Sequence, residues 1–596
     1  MKVIPEYLMT AKEGKLWHEY KAKLGPIYPG YESFDVFMNW LKSKFEEFGC
    51  VDFMEHHWEH ETYRVDDWPD HDSGAIGLEI SGRKVPVGTF VMLSPSTGEK
   101  GLTAPLVYYD IKKGLPEGGR FSGKIVVLEE RGYPEKPFDD SFLASYVVTD
   151  TNYRSGPEIP APMLEIVDPE VNNSWNTRWS FFQWGELLNI ARAGGADGLV
   201  ICSRLTYGTL KGLYDRQRRH NIPSLVVDRV TAETVLEAAK RNETAKLTLV
   251  SRFFPSDAWN FVCFLPGARY GDPSDEYVSV NIHVDAMSLT QDNGALGSLG
   301  IARYFSRIPV KERQKTLLFC IDSRHFIEGF ENGNFRHDPY QVFPELREKV
   351  TVTVGLEHMG EMEAAEDYTA NDMIPTGRPE YSFMKADDND FCSRILIAAA
   401  IDSGLERADI KIDGRPGIHG KYKGLVRAVQ ASVHRLGKCV IGEAGNWPGA
   451  HTQTFSGMKY FGEKKFRDEV HAWTQVVGCL METDSIVYDI AWSDLNIRIR
   501  KAASETPDKI LPVLMPMPGD KKETVSEDRI IISPDTRDGL LSLVSDIFRD
   551  AEGGEYSRVR NRLERELKPA CRTVGSQEIL LAVDNLIQAI DRFVNR

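Results

Sequence analysis

The stretch V-N-I-H-V-D-A-M-S-L-T-Q-D-N-G-A-L-G, residues 280–297, joins an apolar strand to a polar loop and the start of a helix. The strand pattern delivers His283 and Asp285 at its end, and the loop carries Asp292 and Asn293. Neutral imidazole and carboxylate are standard ligands of first-row metals. The segment therefore predicts part of a metal site, in which Asp285 holds the imidazole of His283 in one orientation.

Length and charge limit the classes of protein to consider. A chain of 596 residues is too long for one hydrophobic core, so several domains are expected. Acidic residues outnumber basic ones by 88 to 72, which argues against nucleic acid or an anionic membrane as the main partner. No apolar run has the length of a membrane span, and the first fifteen residues contain no hydrophobic segment typical of a secretory signal.

The eight cysteines are scattered singly, without a C-x-x-C pair, and several stand at the ends of apolar runs. This distribution is typical of buried free thiols in a reducing compartment. We therefore expect a cytoplasmic protein.

Residues 1–79 are predicted to be helical, then extended, and to pack on the domain formed by residues 256–485. The helical pattern F-D-V-F-M-N-W-L-K-S-K-F-E-E-F ends at Gly49, a helix-terminating signal. In the extended segment, His56 and His60 share one strand face and His57 lies on the other. Alternation with aromatic residues favours a polar strand near a cleft over a metal cluster.

Residues 80–255 change to short β-type runs, with one amphipathic helix closed by Gly194-Gly195. Their order resembles the protease-associated domain: a strand G-K-I-V-V, a helix, the segment G-A-D-G-L-V-I and a strand after I-P. The resemblance implies a β-rich, non-catalytic domain that covers or shapes the cleft of a neighbouring peptidase domain.

In residues 256–485 strands and helices alternate, from Y-V-S-V-N-I-H through K-T-L-L-F-C-I-D to V-T-V-T-V-G-L-E. This pattern predicts an α/β fold, a three-layer sandwich with a mixed sheet, whose functional residues lie at the carboxyl ends of the strands. Residues 486–596 contain several helical stretches, such as E-I-L-L-A-V-D-N-L-I-Q-A-I-D-R-F-V.

The segment of residues 256–485 resembles the zinc aminopeptidase family, which also includes glutamate carboxypeptidase, glutaminyl cyclase and the transferrin receptor. The shared motifs are H-V-D, Q-D-N-G-A-L-G-S-L-G-I-A, L-L-F-C-I-D-S-R-H, V-G-L-E-H-M-G and P-G-A-H-T. The inserted β-rich domain and the helical tail match the larger members, so the resemblance covers most of the chain. It implies a zinc-exopeptidase-like fold and a homodimer formed through the helical C-terminal region.

The resemblance also implies a set of metal ligands. The residues at the matching positions are His283, Asp292, His325, Glu357 and His451. Three imidazoles and two carboxylates suit zinc, iron or manganese, and the reduced number of carboxylates favours one ion over two. We expect a divalent metal, with zinc as the best match, and a small-molecule or peptide substrate.

The segment Asp322-Ser323-Arg324-His325 departs from the family pattern of two adjacent glutamates. His325 takes the ligand position, and Arg324 takes the position of the general base although a guanidinium accepts no proton at accessible pH. A positioned general base contributes roughly 100- to 10,000-fold in rate, so its loss is a large change.

Three alternatives stay open for this position. A metal-bound hydroxide acts without the base, Arg324 binds a substrate carboxylate or a developing oxyanion, or another group takes over as base. The candidate replacements are Glu328, His358 and Glu361.

Three functional hypotheses follow. The leading one is a metal-dependent hydrolase that acts on an amide or peptide-like C–N bond of a small or unusual substrate. The second is a metal-dependent lyase or cyclase on the same scaffold, in which no water is activated. The third is a catalytically inactive receptor- or scaffold-like protein, in which Arg324 pairs with Asp322 or Glu328.

Overall fold

The computed structural model describes most of the chain. The described residues are 2–66, 68, 73–131, 146–147, 172–213, 219–285, 288–290, 293–327, 336–380, 382–386, 390–406, 408–412, 439–444, 458–487, 534–552, 554–574 and 577–595. In chain order, the strands are β1 Val51–Val65, β2 Ile76–Ile80, β3 Arg83–Val85, β4 Thr89–Phe90, β5 Leu102–Tyr108, β6 Ile125–Glu129, β7 Tyr146–Val147, β8 Gly198–Cys202, β9 Ser224–Val227, β10 Thr244–Leu249, β11 Ser251–Leu265, β12 Tyr277–His283, β13 Thr316–Asp322, β14 Val350–Leu356, β15 Met362–Asp367, β16 Asp372–Pro379, β17 Ser382–Ala386, β18 Ala408–Ile412 and β19 Cys439–Ala444.

The α-helices are distributed along the whole chain. In chain order they are α1 Ala11–Leu24, α2 Glu32–Glu47, α3 Asn172–Ala193, α4 Tyr207–Leu210, α5 Arg229–Lys240, α6 Gly294–Ser306, α7 Pro339–Val342, α8 Asp390–Ser403, α9 Glu463–Glu482, α10 Pro534–Glu552, α11 Tyr556–Arg562, α12 Lys568–Val574 and α13 Gln577–Val594. None of these described helices has the length and apolarity needed to cross a membrane.

The larger sheet is mixed and has the strand order β1-β11-β13-β12-β14-β19-β17-β18-β7. Its centre is parallel, because β12 pairs with both β13 and β14 and β14 pairs with β19 in that sense. Every residue of β12, β13 and β14 is buried, as expected where helices or loops cover both faces of a parallel sheet. The α/β fold with a mixed sheet predicted from the sequence is confirmed.

The two faces of this sheet have different partners. Alternate residues of β13, such as Phe319, pack with α1, α2, α6 and α9 in the largest core. The intervening residues, such as Leu318, pack with Tyr340 of α7 and with Leu346 on the opposite face. This layering leaves the carboxyl ends of the central strands at one edge of the sheet, where polar side chains collect.

The second sheet has the order β3-β2-β10-β5-β6-β8-β9-β4 and two apolar faces of its own. The long antiparallel pair of β1 and β11 belongs to the first sheet but reaches both cores. Phe261 packs in the core of the first sheet, whereas Tyr63 and Val65 pack in that of the second. The protease-associated assignment of residues 80–255 and the other domain limits stay predictions.

Helices α10 to α13 form a separate core together with Ile486 and Val487. The dimerisation assigned to residues 486–596 stays a prediction. Among the cysteines whose side chains the structure describes, all are free thiols, and Cys479 alone is not fully buried.

Gly294, the first residue of α6, allows helix and strand backbones to approach closely. A Cβ atom at Gly294 would lie 1.9 Å from the carbonyl oxygen of Leu356 at the end of β14. Because backbone atoms of a central strand cannot move aside easily, only glycine fits. The contact brings the amino end of α6 against the carboxyl end of β14, the edge that carries the polar residues.

We expect Gly294→Ala to lower the free energy of unfolding by about 1–3 kcal/mol, the usual cost of overpacking a core. The matched control is Gly539→Ala in α10, where a Cβ would meet no atom within 4 Å. That change should stabilise the protein by about 0.5–1 kcal/mol through the helix propensity of alanine. Chemical denaturation measures both, and equal stability of the two variants would contradict the packing argument.

Candidate functional site

Three neighbouring parallel strands end in polar residues at one buried edge. His283 is the last residue of β12 and lies in register with Asp322, the last residue of β13. Glu357 follows directly on Leu356, the last residue of β14, on the other side of β12. All three side chains of interest, at positions 283, 322 and 357, are buried. The polar residues that the sequence places at the ends of these strands therefore meet at one edge of the sheet.

His283 and His325 are in contact at this edge. Their rings stack with centroids 4.7 Å apart and an interplanar angle of 23°, and both side chains are buried. Asp285 holds the loop that carries His325, since its carboxylate accepts the backbone N–H groups of His325 at 3.0 Å and of Phe326 at 2.5 Å. Asp285 thus connects the segment after β12 to the segment after β13.

Arg324 is buried in an ion pair. Its side chain is 1% exposed, Nε donates to Asp322 Oδ1 at 2.9 Å, and Nη2 donates to Asp322 Oδ2 at 2.5 Å. A second carboxylate oxygen, Asp338 Oδ2, lies 3.8 Å from Nη2. Burial disfavours the charge, but the two carboxylates outweigh it and raise the pKa of the Arg324 guanidinium. Of the roles left open by the sequence, these contacts favour pairing with Asp322.

The loop after β14 has an unusual backbone conformation. His358 has φ +54°, a left-handed value that non-glycine residues rarely adopt, and Gly360 has φ +75°. Such strain persists only where surrounding contacts enforce it, and it collects at functional sites. Here Asn293 Oδ1 accepts the N–H of Met359 at 2.8 Å, and Glu469 Oε2 accepts the N–H of Gly360 at 2.5 Å. The side chains of His358 and Glu361, both proposed as replacement bases, are buried.

The structure brings together part of the predicted ligand set. His283 and His325 are in contact, and Glu357 lies at the end of the adjacent strand. Asp292, His451 and Glu328 lie outside the described residues. Within the described part of the chain, no group of three or more His, Cys, Asp or Glu side chains is arranged to hold a metal ion. The ligand and catalytic assignments therefore stay predictions.

The histidines of β1 follow the predicted alternation. The ring of His57 faces outward and lies 2.8 Å from Asp257 Oδ2, whereas His56 Nε2 lies 3.0 Å from His337 Nδ1. His60 is buried, and burial lowers its pKa to about 4. The burial of these residues thus alternates along β1, as predicted.

Sequence reasoning missed two site-adjacent residues in α1. His18 contacts Asn293, and Lys21 Nζ donates to the carbonyl oxygens of Ser288 at 3.1 Å and Leu289 at 2.8 Å. Their spacing of three residues places both on one helix face. Nothing in the local pattern points from α1 to a loop about 270 residues later, so only the tertiary fold identifies them.

Solved structures with a similar chain path include aminopeptidases and other peptidases. A zinc aminopeptidase from Bacillus subtilis has 14% identity and a TM-score of 0.48, covering 80% of this chain and 97% of that one. A peptidase M28 precursor from Shewanella amazonensis has 15% identity and a TM-score of 0.47, with the same coverage of 80% and 97%. An aminopeptidase from Aneurinibacillus has 12% identity and a TM-score of 0.43, covering 78% and 93%.

No protein-family model matches the chain, and no curated protein does. At these identities and TM-scores, the likeness carries no argument about reaction, metal or substrate.

Proposed function

We propose that the protein is a metal-dependent hydrolase of an amide or peptide-like C–N bond. One observation supports this most: two buried imidazoles, His283 and His325, stack at the carboxyl edge of the central parallel strands, beside the strand that leads to Glu357. Ligand-binding residues of open α/β sheets belong at this edge.

The donor chemistry of these residues suits a divalent ion. Two imidazoles and a carboxylate are the ligand types that zinc accepts, and manganese and iron accept them too. His283, His325 and Glu357 would hold the ion, and the sequence assigns Asp292 and His451 to complete the set. When bound, such an ion polarises a carbonyl group and lowers the pKa of water. Zinc is the first metal to test, since the family that the sequence motifs resemble is one of zinc aminopeptidases.

The protein's own residues have three further roles in this proposal: to position the imidazoles, to stabilise the strand end and to accept a proton. Asp285 holds the His325 segment through two backbone N–H groups and so fixes the imidazole pair. Arg324 stabilises the end of β13 through Asp322 and accepts no proton. The proton acceptor in this proposal is Glu328, His358 or Glu361, and the last two follow β14 as Glu357 does. The loss of the usual base position makes a small or unusual amide a better substrate candidate than an ordinary peptide.

Metal analysis and isotope labelling test this proposal. The purified full-length chain should carry stoichiometric divalent metal, and reaction in ¹⁸O-labelled water should place the label in the carboxylate product. Aminoacyl anilides and N-acyl amino acids are suitable first substrates, and chelator-treated protein is the control. Product without label would reject hydrolysis in favour of lyase or cyclase chemistry.

A second candidate function is a catalytically inactive, receptor- or scaffold-like protein. The observation in its favour is the buried pair of Arg324 and Asp322, which occupies the segment where the family carries its base and one ligand. Absence of bound metal from the purified protein would support this candidate and reject the hydrolase.

A further inference from the structure

The imidazole of His18 is fully buried and has a defined tautomer. It stacks on Phe461 with ring centroids 3.9 Å apart and meets the edge of Phe466. Nδ1 lies 2.8 Å from the carbonyl oxygen of Gly14, and Nε2 lies 2.9 Å from Asn293 Nδ2. Because a carbonyl only accepts, Nδ1 carries the proton and Nε2 accepts from Asn293. Burial lowers the pKa of His18 to about 3, so the ring stays neutral at physiological pH.

Both the oxygen and the nitrogen of the Asn293 side-chain amide form hydrogen bonds. Oδ1 accepts the N–H of Met359 at 2.8 Å, while Nδ2 donates to the carbonyl oxygen of Met359 at 2.6 Å and to His18. This orientation of the amide is the favourable one. If the amide were flipped, its oxygen would face two acceptors, His18 Nε2 and the Met359 carbonyl oxygen. In the sequence, Asn293 follows the predicted ligand Asp292, and Met359 stands two residues after Glu357.

Lys21 adds a second contact from the same helix face. Its buried ammonium donates to the carbonyl oxygens of Ser288 and Leu289, in the loop that also carries Asn293. Helix α1 therefore touches the loop after β12 at two points one helical turn apart. Through Asn293 it also reaches the strained loop after β14.

We propose that α1 is part of the candidate site, with His18 as a positioning residue. His18 orients the Asn293 amide, and this amide holds the loop after β12 at a fixed distance from the loop after β14. The described part of the loop after β12 and the loop that carries Glu357 are thereby set relative to each other before any ligand binds. The inference rests on the proposed function only where it identifies these two loops as the site.

Hydrogen exchange on the metal-free, full-length protein tests the inference. His18→Phe keeps the ring stacked on Phe461 but removes the acceptor. We expect exchange in residues 357–361 to become about 10-fold faster, the effect of losing one buried hydrogen bond. His18→Gln, whose side-chain oxygen can accept the same N–H, should restore most of the protection. His57→Phe, which alters an exposed histidine, is the matched control.

The outcomes separate a positioning role from a merely structural one. Faster exchange confined to 357–361 and to the loop before Asn293, with rescue by glutamine, supports the inference. Unchanged exchange there, or a uniform increase along the whole chain, overturns it. If His18→Phe does not fold, Asn293→Asp replaces it. In that variant a carboxylate oxygen takes the place of Nδ2 and faces two acceptors, His18 Nε2 and the Met359 carbonyl oxygen, so the same hydrogen bonds are lost. Unchanged exchange in that variant likewise overturns the inference.

The same variants distinguish this inference from the proposed function. A wild-type protein that binds no divalent metal ion rejects the hydrolase, but the exchange experiment still decides the role of His18. If the wild type binds Zn²⁺, His18→Phe should weaken binding by about 10- to 100-fold, as removal of a residue that orients metal ligands does.

Discussion

His283→Ala is expected to lower the affinity for Zn²⁺ by more than about 100-fold, because removing a direct ligand exceeds the cost of losing a supporting residue. The effect should be large since His283 stacks on His325, so its loss removes one donor and also releases the ring of the other. Metal content after dialysis, together with competition against a chromophoric chelator, measures the change. Hydrolytic activity, where a substrate is found, should fall in parallel.

The matched control is His60→Ala, which also removes a buried histidine but lies in β1, outside the predicted ligand set. It should leave the metal content at the wild-type value. Equal loss in both variants would mean that burial, not ligation, explains the result. Full retention of metal by His283→Ala would reject the ligand assignment.

Asp322→Asn is expected to lower the free energy of unfolding by about 3 kcal/mol, the lower end of the range for breaking a buried ion pair. A guanidinium does not lose its proton at accessible pH, so Arg324 stays charged when its partner becomes neutral. The amide oxygen still accepts one hydrogen bond, which places the cost at the lower end. Chemical denaturation of the single variants measures this directly.

The double variant Asp322→Leu with Arg324→Met should regain most of the lost stability, because apolar side chains often replace a buried ion pair without cost. Glu237→Gln, which breaks an exposed pair with Lys240, is the control and should change stability little. If Asp322→Asn destabilises no more than this control, the pair does not support the end of β13. If Arg324 instead binds a substrate carboxylate, Arg324→Met should raise KM chiefly, a kinetic effect separate from stability.

Local patterns predicted those features that depend on neighbouring residues. The helix pattern ending at Gly49 corresponds to α2, Glu32–Glu47, and the glycine has φ +81°. The histidines of β1 alternate as predicted, because side chains of any strand point to opposite faces. The apolar run before His283 forms the fully buried strand β12.

The alternation of strands and helices also predicted the edge at which polar residues meet. His283 and Asp322 end β12 and β13, and Glu357 directly follows β14. Parallel pairing places those three strand ends together. Their meeting follows from the general geometry of α/β sheets rather than from any local signal.

By itself, the sequence determined the α/β class, the strands of the candidate site and the departure from the family pattern at Arg324. Only the tertiary structure decided that Arg324 pairs with Asp322 and Asp338, that Asp285 holds the His325 backbone, and that α1 reaches both loops through His18 and Lys21. The physical reason is the separation in sequence between the residues that make contact. Strand and helix patterns arise from contacts a few residues apart, whereas these partners include pairs about 270 residues apart that meet only when the sheet and its helices pack.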